Sequence, residues 1–231
     1  MNNLNKILAA IVFVFSLVVY IMTMAPTTSF WDCGEFIATS VIMGVPHPPG
    51  TPFFLLLGNF FSQLPIFADT GARVNLISPI FSAFAVMFLY LIIVQLIEEW
   101  HGKAKTWPDF LITYGSAIIG ALTFAFTDSH WFNAVEAEVY SISTFFTSIV
   151  VWLILKWSTN SGHAGNVRYI LIIAYMFGLA IGIHLLNLLA LPFIALIVYF
   201  NKYEFKVGTF IATMGITLFT FMVIYLGIIK G

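Results

Sequence analysis

The 231-residue chain is 61% hydrophobic and only 8% charged, with a mean hydropathy of +1.00. A soluble domain carries about a quarter charged residues, so this composition excludes a water-soluble globule. The net charge of -1 excludes a global basic field for nucleic acid, and the single cysteine, Cys33, excludes an internal disulfide or a cysteine-built zinc cage.

A membrane-spanning helix needs about 20 mainly apolar residues. In chain order the apolar runs are Ile7–Met24, Val74–Ile97, Phe110–Phe126, Val139–Leu155, Tyr169–Ile183, Leu185–Phe200 and Val207–Ile229. They predict an all-α integral membrane protein with about seven transmembrane helices, because backbone in lipid must satisfy its own hydrogen bonds. Trp31, Trp100, Trp107, Trp131 and Trp157 sit at the ends of these runs, as an aromatic belt requires. Lys6 ahead of the first run resembles a secretory leader, but the run is long for one and further spans follow, so it is read as a retained first helix. The chain stops at Lys230-Gly231, directly after a span. Residues 1–231 are therefore read as one transmembrane module, the N-terminal portion of a longer chain.

Pro52–Phe67 is apolar but short, and is interrupted by Gly58-Asn59, Ser62-Gln63 and Pro65. If it does not span and the N-terminus is cytoplasmic, Lys6, Lys103, Lys105, Lys156, Arg168, Lys202 and Lys206 fall inside, and only Arg73 and Lys230 outside. The positive-inside rule favours that arrangement. It makes Ala25–Arg73 a long outer loop with juxtamembrane helices. Asp32, Glu35, Asp69, Asp128, Glu136 and Glu138 then lie on the outer face, together with His47, His130 and His184.

No Asp, Glu, Lys or Arg lies deep inside any run, which counts against an ion-coupled pump or a channel. Gly178 and Gly182 form a G-x-x-x-G, read as a helix-packing face. The densest signal is Phe30-Trp31-Asp32-Cys33-Gly34-Glu35-Phe36. Asp32 and Glu35, three apart, share one face if helical. They suit either a solvated helix start or a base beside Phe30 and Trp31, where desolvation strengthens a carboxylate as a proton acceptor. His47-Pro48-Pro49-Gly50-Thr51-Pro52 is a rigid turn that separates two juxtamembrane helices or presents His47. Arg73 either snorkels at the interface or clamps a lipid-linked phosphate. In the second outer loop, His130, Trp131 and Glu138 line a sugar site or cap a helix. His184 with Asn187 forms a polar pair one turn in from the outer surface. No H-x-x-x-H spacing appears, and no metal is expected.

The ordered set Trp31-Asp32-Cys33-Gly34-Glu35-Phe36, the His47–Pro52 turn, Arg73-Val74-Asn75-Leu76, Glu138-Val139-Tyr140 and Gly182-Ile183-His184 resembles the GT-C superfamily of polytopic glycosyltransferases. More narrowly, it is similar to a protein O-mannosyltransferase-like membrane family, over essentially the whole chain. The resemblance implies a GT-C-like fold and transfer of a sugar, mannose, from a polyprenyl-phosphate carrier to Ser/Thr hydroxyls of an acceptor protein at the extracytoplasmic face. It requires no cofactor beyond that donor. By this analogy Asp32 deprotonates the acceptor in one inverting displacement, with Glu35 the other catalytic candidate. Arg73 would meet the departing phosphate, and Trp31, His47, His130, Glu138 and His184 would bind substrate. The implied partners are the membrane lipid carrier and the acceptor protein, with no nucleic acid. The absence of an N-x-[ST] sequon in the outer loops favours a bacterial inner membrane over the endoplasmic reticulum. Two readings stay open beside this one: a transporter or flippase for a lipid-linked glycan, and a non-catalytic assembly subunit.

Overall fold

The computed structural model describes residues 3–48, 50–160 and 166–229. Pro49 of the proline turn and Lys230-Gly231 of the chain end lie outside the described residues. The described residues form helices and no strand. In order they are α1 (Asn3–Thr23), α2 (Cys33–Ile42), α3 (Pro52–Ser62), α4 (Thr70–Asn75), α5 (Ile77–His101), α6 (Trp107–Phe110), α7 (Ser116–Ala125), α8 (Asp128–Ala134), α9 (Val139–Thr159), α10 (Val167–Ile181), α11 (Ala190–Lys202) and α12 (Val207–Val223). A π-helical turn, Leu111–Gly115, joins α6 to α7, and a 3-10 turn, Leu185–Leu189, leads into α11.

Among the described residues, six helical stretches are long and apolar enough to cross a membrane: Asn3–Thr23, Thr70–His101, Trp107–Ala125, Val139–Thr159, Leu185–Lys202 and Val207–Gly227. The fifth apolar run in chain order, Tyr169–Ile183, becomes α10, whose 15 residues reach only about 22 Å of the ~30 Å hydrocarbon core. The sequence count of about seven is thus six full-length helices and one shorter one. The reason is local. Asn187 turns its side-chain amide back to donate to the carbonyls of Ala180 (2.8 Å) and His184 (2.9 Å), ending α10 two residues before the apolar run itself stops.

The bundle is organised on α5, which packs against α1, α7 and α9; α9 in turn carries α10 and α11. Small buried residues on α5 (Ser78, Ser82, Ala83, Ala85) let three neighbours approach, the membrane substitute for a hydrophobic driving force. Facing them are Ala117, Ala121 and Ala125 of α7, all fully buried.

The juxtamembrane helices expected between the first two spans are present as α2, α3 and α4. With 11 residues, α3 extends about 16 Å and cannot span. Gly58, an apparent interruption in the sequence, is where α3 crosses α2: a Cβ there would stand 2.2 Å from Ser40 Oγ. Next to it Asn59 donates to the Ser40 carbonyl at 3.0 Å, so the polar pair Gly58-Asn59 is the seam between the two helices. The start of α3 docks on the end of α10, where the Phe53 N–H donates to the Gly182 carbonyl at 3.1 Å. An unpaired helix start thereby meets an unpaired helix end.

Candidate active site

The end of the bundle where α1 finishes gathers α2, the start of α3, α4, the 135–138 segment, the start of α9 and the end of α10. One buried side chain joins most of these. Asn75, fully buried at the end of α4, donates to the carbonyls of Ala25 and Thr27, both at 2.9 Å. Its Oδ1 accepts from the Ala137 N–H (3.0 Å) and the Cys33 thiol (3.6 Å). The exit from the first span, the first residue of α2 and the segment between two buried glutamates are therefore held by one amide. Burial pushes the Cys33 thiol pKa up, leaving it a neutral donor.

Asp32 stands at the N-cap position of α2 but makes no side-chain capping bond. The residue before it, Trp31, has a left-handed backbone (φ 56°) and is 83% exposed. For a bulky non-glycine residue this conformation costs of order 1 kcal/mol. It turns the chain sharply into α2 and leaves Asp32 exposed. Desolvation by Phe30 and Trp31 does not occur: both aromatics are largely exposed, and so is Asp32.

Glu35 lies in the first turn of α2 and reaches across to the proline turn. Its carboxylate accepts the His47 backbone N–H at 2.6 Å and meets the ring Nδ1 at 2.8 Å. These bonds hold the Glu35 pKa below the usual carboxylate value and raise that of His47. Ligand atoms of Asp32, Glu35 and His47 all lie within 4.8 Å of one another, close enough to share a cation. Three donors from two segments form a cluster that no i, i+4 spacing would have disclosed.

Glu138 caps the other side of this end. It begins α9, is only 4% exposed, and its pKa is raised to about 7 by burial, then by the negative charges of Asp32 and Glu136. Glu136, 1% exposed, is also pushed up by burial, which outweighs a lowering influence of the Ser29 side chain. Desolvation thus falls on the second-loop glutamates and not on the first-loop aspartate. Tyr140, two residues on, packs its ring tilted at 48° against that of His184, 5.1 Å between centroids. His184 accepts the Leu186 N–H on Nδ1 at 3.1 Å, capping the 3-10 turn, and burial lowers its pKa.

Two of the sequence candidates stand apart from the cluster. His130 is 6% exposed and packs its ring against Phe124 (4.3 Å) and Tyr20 (6.0 Å). Burial lowers its pKa to about 4, so it is neutral at pH 7, and with Ser129, Asn133 and Tyr140 it lines a cavity of about 260 Å³. Arg73 directs Nε, Nη1 and Nη2 at the carbonyls of Phe67 (2.6 Å), Ser62 (3.1 Å) and Ala68 (3.2 Å). Three of its five N–H groups thereby tie down the loop after α3. Asp69 likewise has a local task, capping α4 through the Ala72 N–H and accepting from Thr27.

The sequence places Asn75 and Tyr140 in quoted motifs and Glu136 on the outer face, but gives none of the three a role of its own. The signal for Asn75 was its position as a polar amide directly before the apolar run from Leu76.

Residues 32–207 match the family described as the Protein O-mannosyl-transferase TMEM260 N-terminal domain. The chain is 29% identical over 198 residues to a Protein O-mannosyl-transferase tmem260 from Dictyostelium discoideum, covering 79% of this chain and 22% of that protein. It is 26% identical over 163 residues to the Protein O-mannosyl-transferase TMEM260 of Mus musculus, covering 71% of this chain and 21% of that one. The chain thus spans about a fifth of the length of these two relatives. No solved structure matches it. The matched segment opens at Asp32 itself and takes in Glu35, His47, Glu138 and His184, and with it the chain belongs to the TMEM260 N-terminal domain family.

Proposed function

We propose that this chain forms the catalytic end of a membrane glycosyltransferase that moves mannose from a polyprenyl-phosphate carrier to Ser/Thr hydroxyls of a protein at the extracytoplasmic face. The observation that carries the reading is the gathering of Asp32, Glu35 and His47 within 4.8 Å, with the buried Glu138 coupled to them electrostatically. Two relatives, each named a protein O-mannosyl-transferase, support the reaction class. The excess of Lys and Arg in the loops at the opposite end supports the choice of face.

In this reading Asp32, exposed and free of capping duty, takes the proton from the acceptor hydroxyl. The oxygen forms its bond to the anomeric carbon while the bond from that carbon to the phosphate oxygen breaks. The electron pair leaves with the lipid phosphate, and the configuration inverts. General base assistance of this kind contributes about 10²–10⁴-fold. A phosphate leaves readily and asks mainly for positive charge and hydrogen bonds. His47, whose protonated form Glu35 favours, supplies that charge, since Arg73 is engaged with its own loop. Glu138, protonated near neutral pH, offers a hydrogen bond to a sugar hydroxyl. Trp31 and Tyr140, both exposed at the rim, present aromatic faces to the sugar.

The test uses the full-length protein in liposomes with labelled polyprenyl-phosphate-mannose, extracytoplasmic acceptor peptides rich in Ser and Thr, and Asp32→Asn beside the wild type. Transfer that disappears in a folded variant supports both the class and the base. Transfer that survives moves the base to another group, and no transfer from any donor sugar overturns the reading.

A further inference from the structure

A large cleft lies at the other end of the bundle, away from the cluster described above. It has a volume of about 630 Å³, within the range of ligand sites. Lys6 of α1, Glu98 and Glu99 near the end of α5, Lys103 just beyond it, and Lys156 in the last turn of α9 surround it. Among the described residues the only ion pair within 4.0 Å is Glu35 with His47. The three ammonium groups and two carboxylates of the cleft therefore share a space without neutralising one another in direct pairs.

A second observation points to a ligand. Gln95, on the wall of the same cleft, is 5% exposed. It donates through Nε2 to Glu99 at 2.8 Å, whereas its Oε1 is buried with no partner. A buried acceptor without a donor is unfavourable, and the residue that carries it, Gln95, is part of the wall of a cleft wide enough to admit a donor. Lys156 also lies over the Trp152 ring, 5.8 Å from its centroid, which orients the ammonium along the wall.

The level of the cleft identifies the class of ligand. Trp100 and Trp107, 89% and 73% exposed, flank the same end of the bundle, and Tyr169 lines the cleft itself. Exposed tryptophan and tyrosine at the end of apolar helices mark the headgroup layer of a bilayer. A ligand here needs an anionic group for the lysines and hydrogen-bond donors, with positive charge, for Glu98, Glu99 and Gln95. We propose that the cleft binds the headgroup of an aminophospholipid of the ethanolamine type. The phosphate is held by Lys6, Lys103 and Lys156, and the primary ammonium donates to Gln95 Oε1 and the neighbouring carboxylates. The site is separate from the transfer reaction proposed above and does not depend on it.

The test is native mass spectrometry of the full-length protein in detergent, titrated with phosphatidylethanolamine, phosphatidylcholine or phosphatidylglycerol. Phosphatidylethanolamine is retained about tenfold more tightly than phosphatidylcholine, which has the same phosphate but no N–H donors, and more tightly than phosphatidylglycerol, which lacks the cation. The double variant Lys103→Gln/Lys156→Gln loses about tenfold in retention of phosphatidylethanolamine at an unchanged melting temperature. Gln95→Met, similar in volume but without the acceptor, narrows the margin of phosphatidylethanolamine over phosphatidylcholine. Equal retention of the three lipids, preference for phosphatidylglycerol, no retention, or no response to the double variant would each overturn the assignment. So would saturation by soluble glycerophosphoethanolamine at the same concentration as the lipid, which would make the ligand a water-soluble one.

Discussion

Glu35 holds His47 twice, by the backbone N–H at 2.6 Å and by ring Nδ1 at 2.8 Å, and so closes the 12-residue excursion from α2 to the proline turn. The pair sets a pH window. The His47 pKa is raised above 6.5, so its share of the stabilisation is complete below that value and is lost as pH rises through the raised one. The Glu35 pKa is lowered below 4.5, so its share is present above that value and is lost as pH falls through the lowered one. In Glu35→Gln, His47 loses its charged partner, and the alkaline limb of the transfer activity moves to lower pH. An unchanged limb would remove His47 from the reaction.

Asp32→Asn keeps the shape of an exposed residue that caps nothing. The expected result is a fall in kcat of about 10²–10⁴-fold with the melting temperature unchanged. Parallel loss of activity and of melting temperature would point to misfolding and leave no evidence for a base.

Glu138 makes stability depend on pH in a defined direction. Its folded pKa of about 7 lies above the ordinary 4.5, so the folded state holds the proton more tightly than the unfolded chain. Stability is full below about 4.5 and declines as pH rises through about 7. Glu138→Gln removes the ionisation, and its thermal stability relative to wild type should rise between pH 5 and pH 8 by roughly 1–3 kcal/mol. Melting curves that shift in parallel across this range would mean that Glu138 titrates normally.

Arg73→Lys separates a loop clamp from a phosphate clamp. An ammonium cannot reproduce three diverging N–H bonds to the carbonyls of Ser62, Phe67 and Ala68. Limited proteolysis within residues 62–69 should accelerate while the KM for the lipid donor stays within about twofold. A large rise in KM with the loop still protected would restore the phosphate role.

Asn75→Ala leaves the Ala137 N–H and two loop carbonyls without their partner in a fully buried place. The expected cost is roughly 2–4 kcal/mol, since each orphaned group carries a desolvation penalty. Urea or thermal unfolding reads it directly. A change below about 1 kcal/mol would show that water takes over these bonds.

The sequence by itself determined the architecture, because lipid leaves a chain few choices: an apolar run of sufficient length must close its own hydrogen bonds as a helix. It also separated the short, Pro- and Gly-broken elements of the first loop from the spans, and α2 to α4 follow that reading. The likeness of Trp31–Phe36 and its companion motifs to an O-mannosyltransferase-like family was legible at the same level, and the family match covers residues 32–207. Tertiary structure alone decided which polar residues meet. Asp32, Glu35 and His47 converge beside Asn75, which holds Cys33, Ala25, Thr27 and Ala137 through bonds that reach as many as 62 positions along the sequence. Nothing local to His130 or Arg73 announces that one is buried against Phe124 and the other engaged with loop carbonyls. Burial and hydrogen-bond partners are properties of what packs alongside, and so is the assignment of desolvation to Glu138 and of exposure to Asp32.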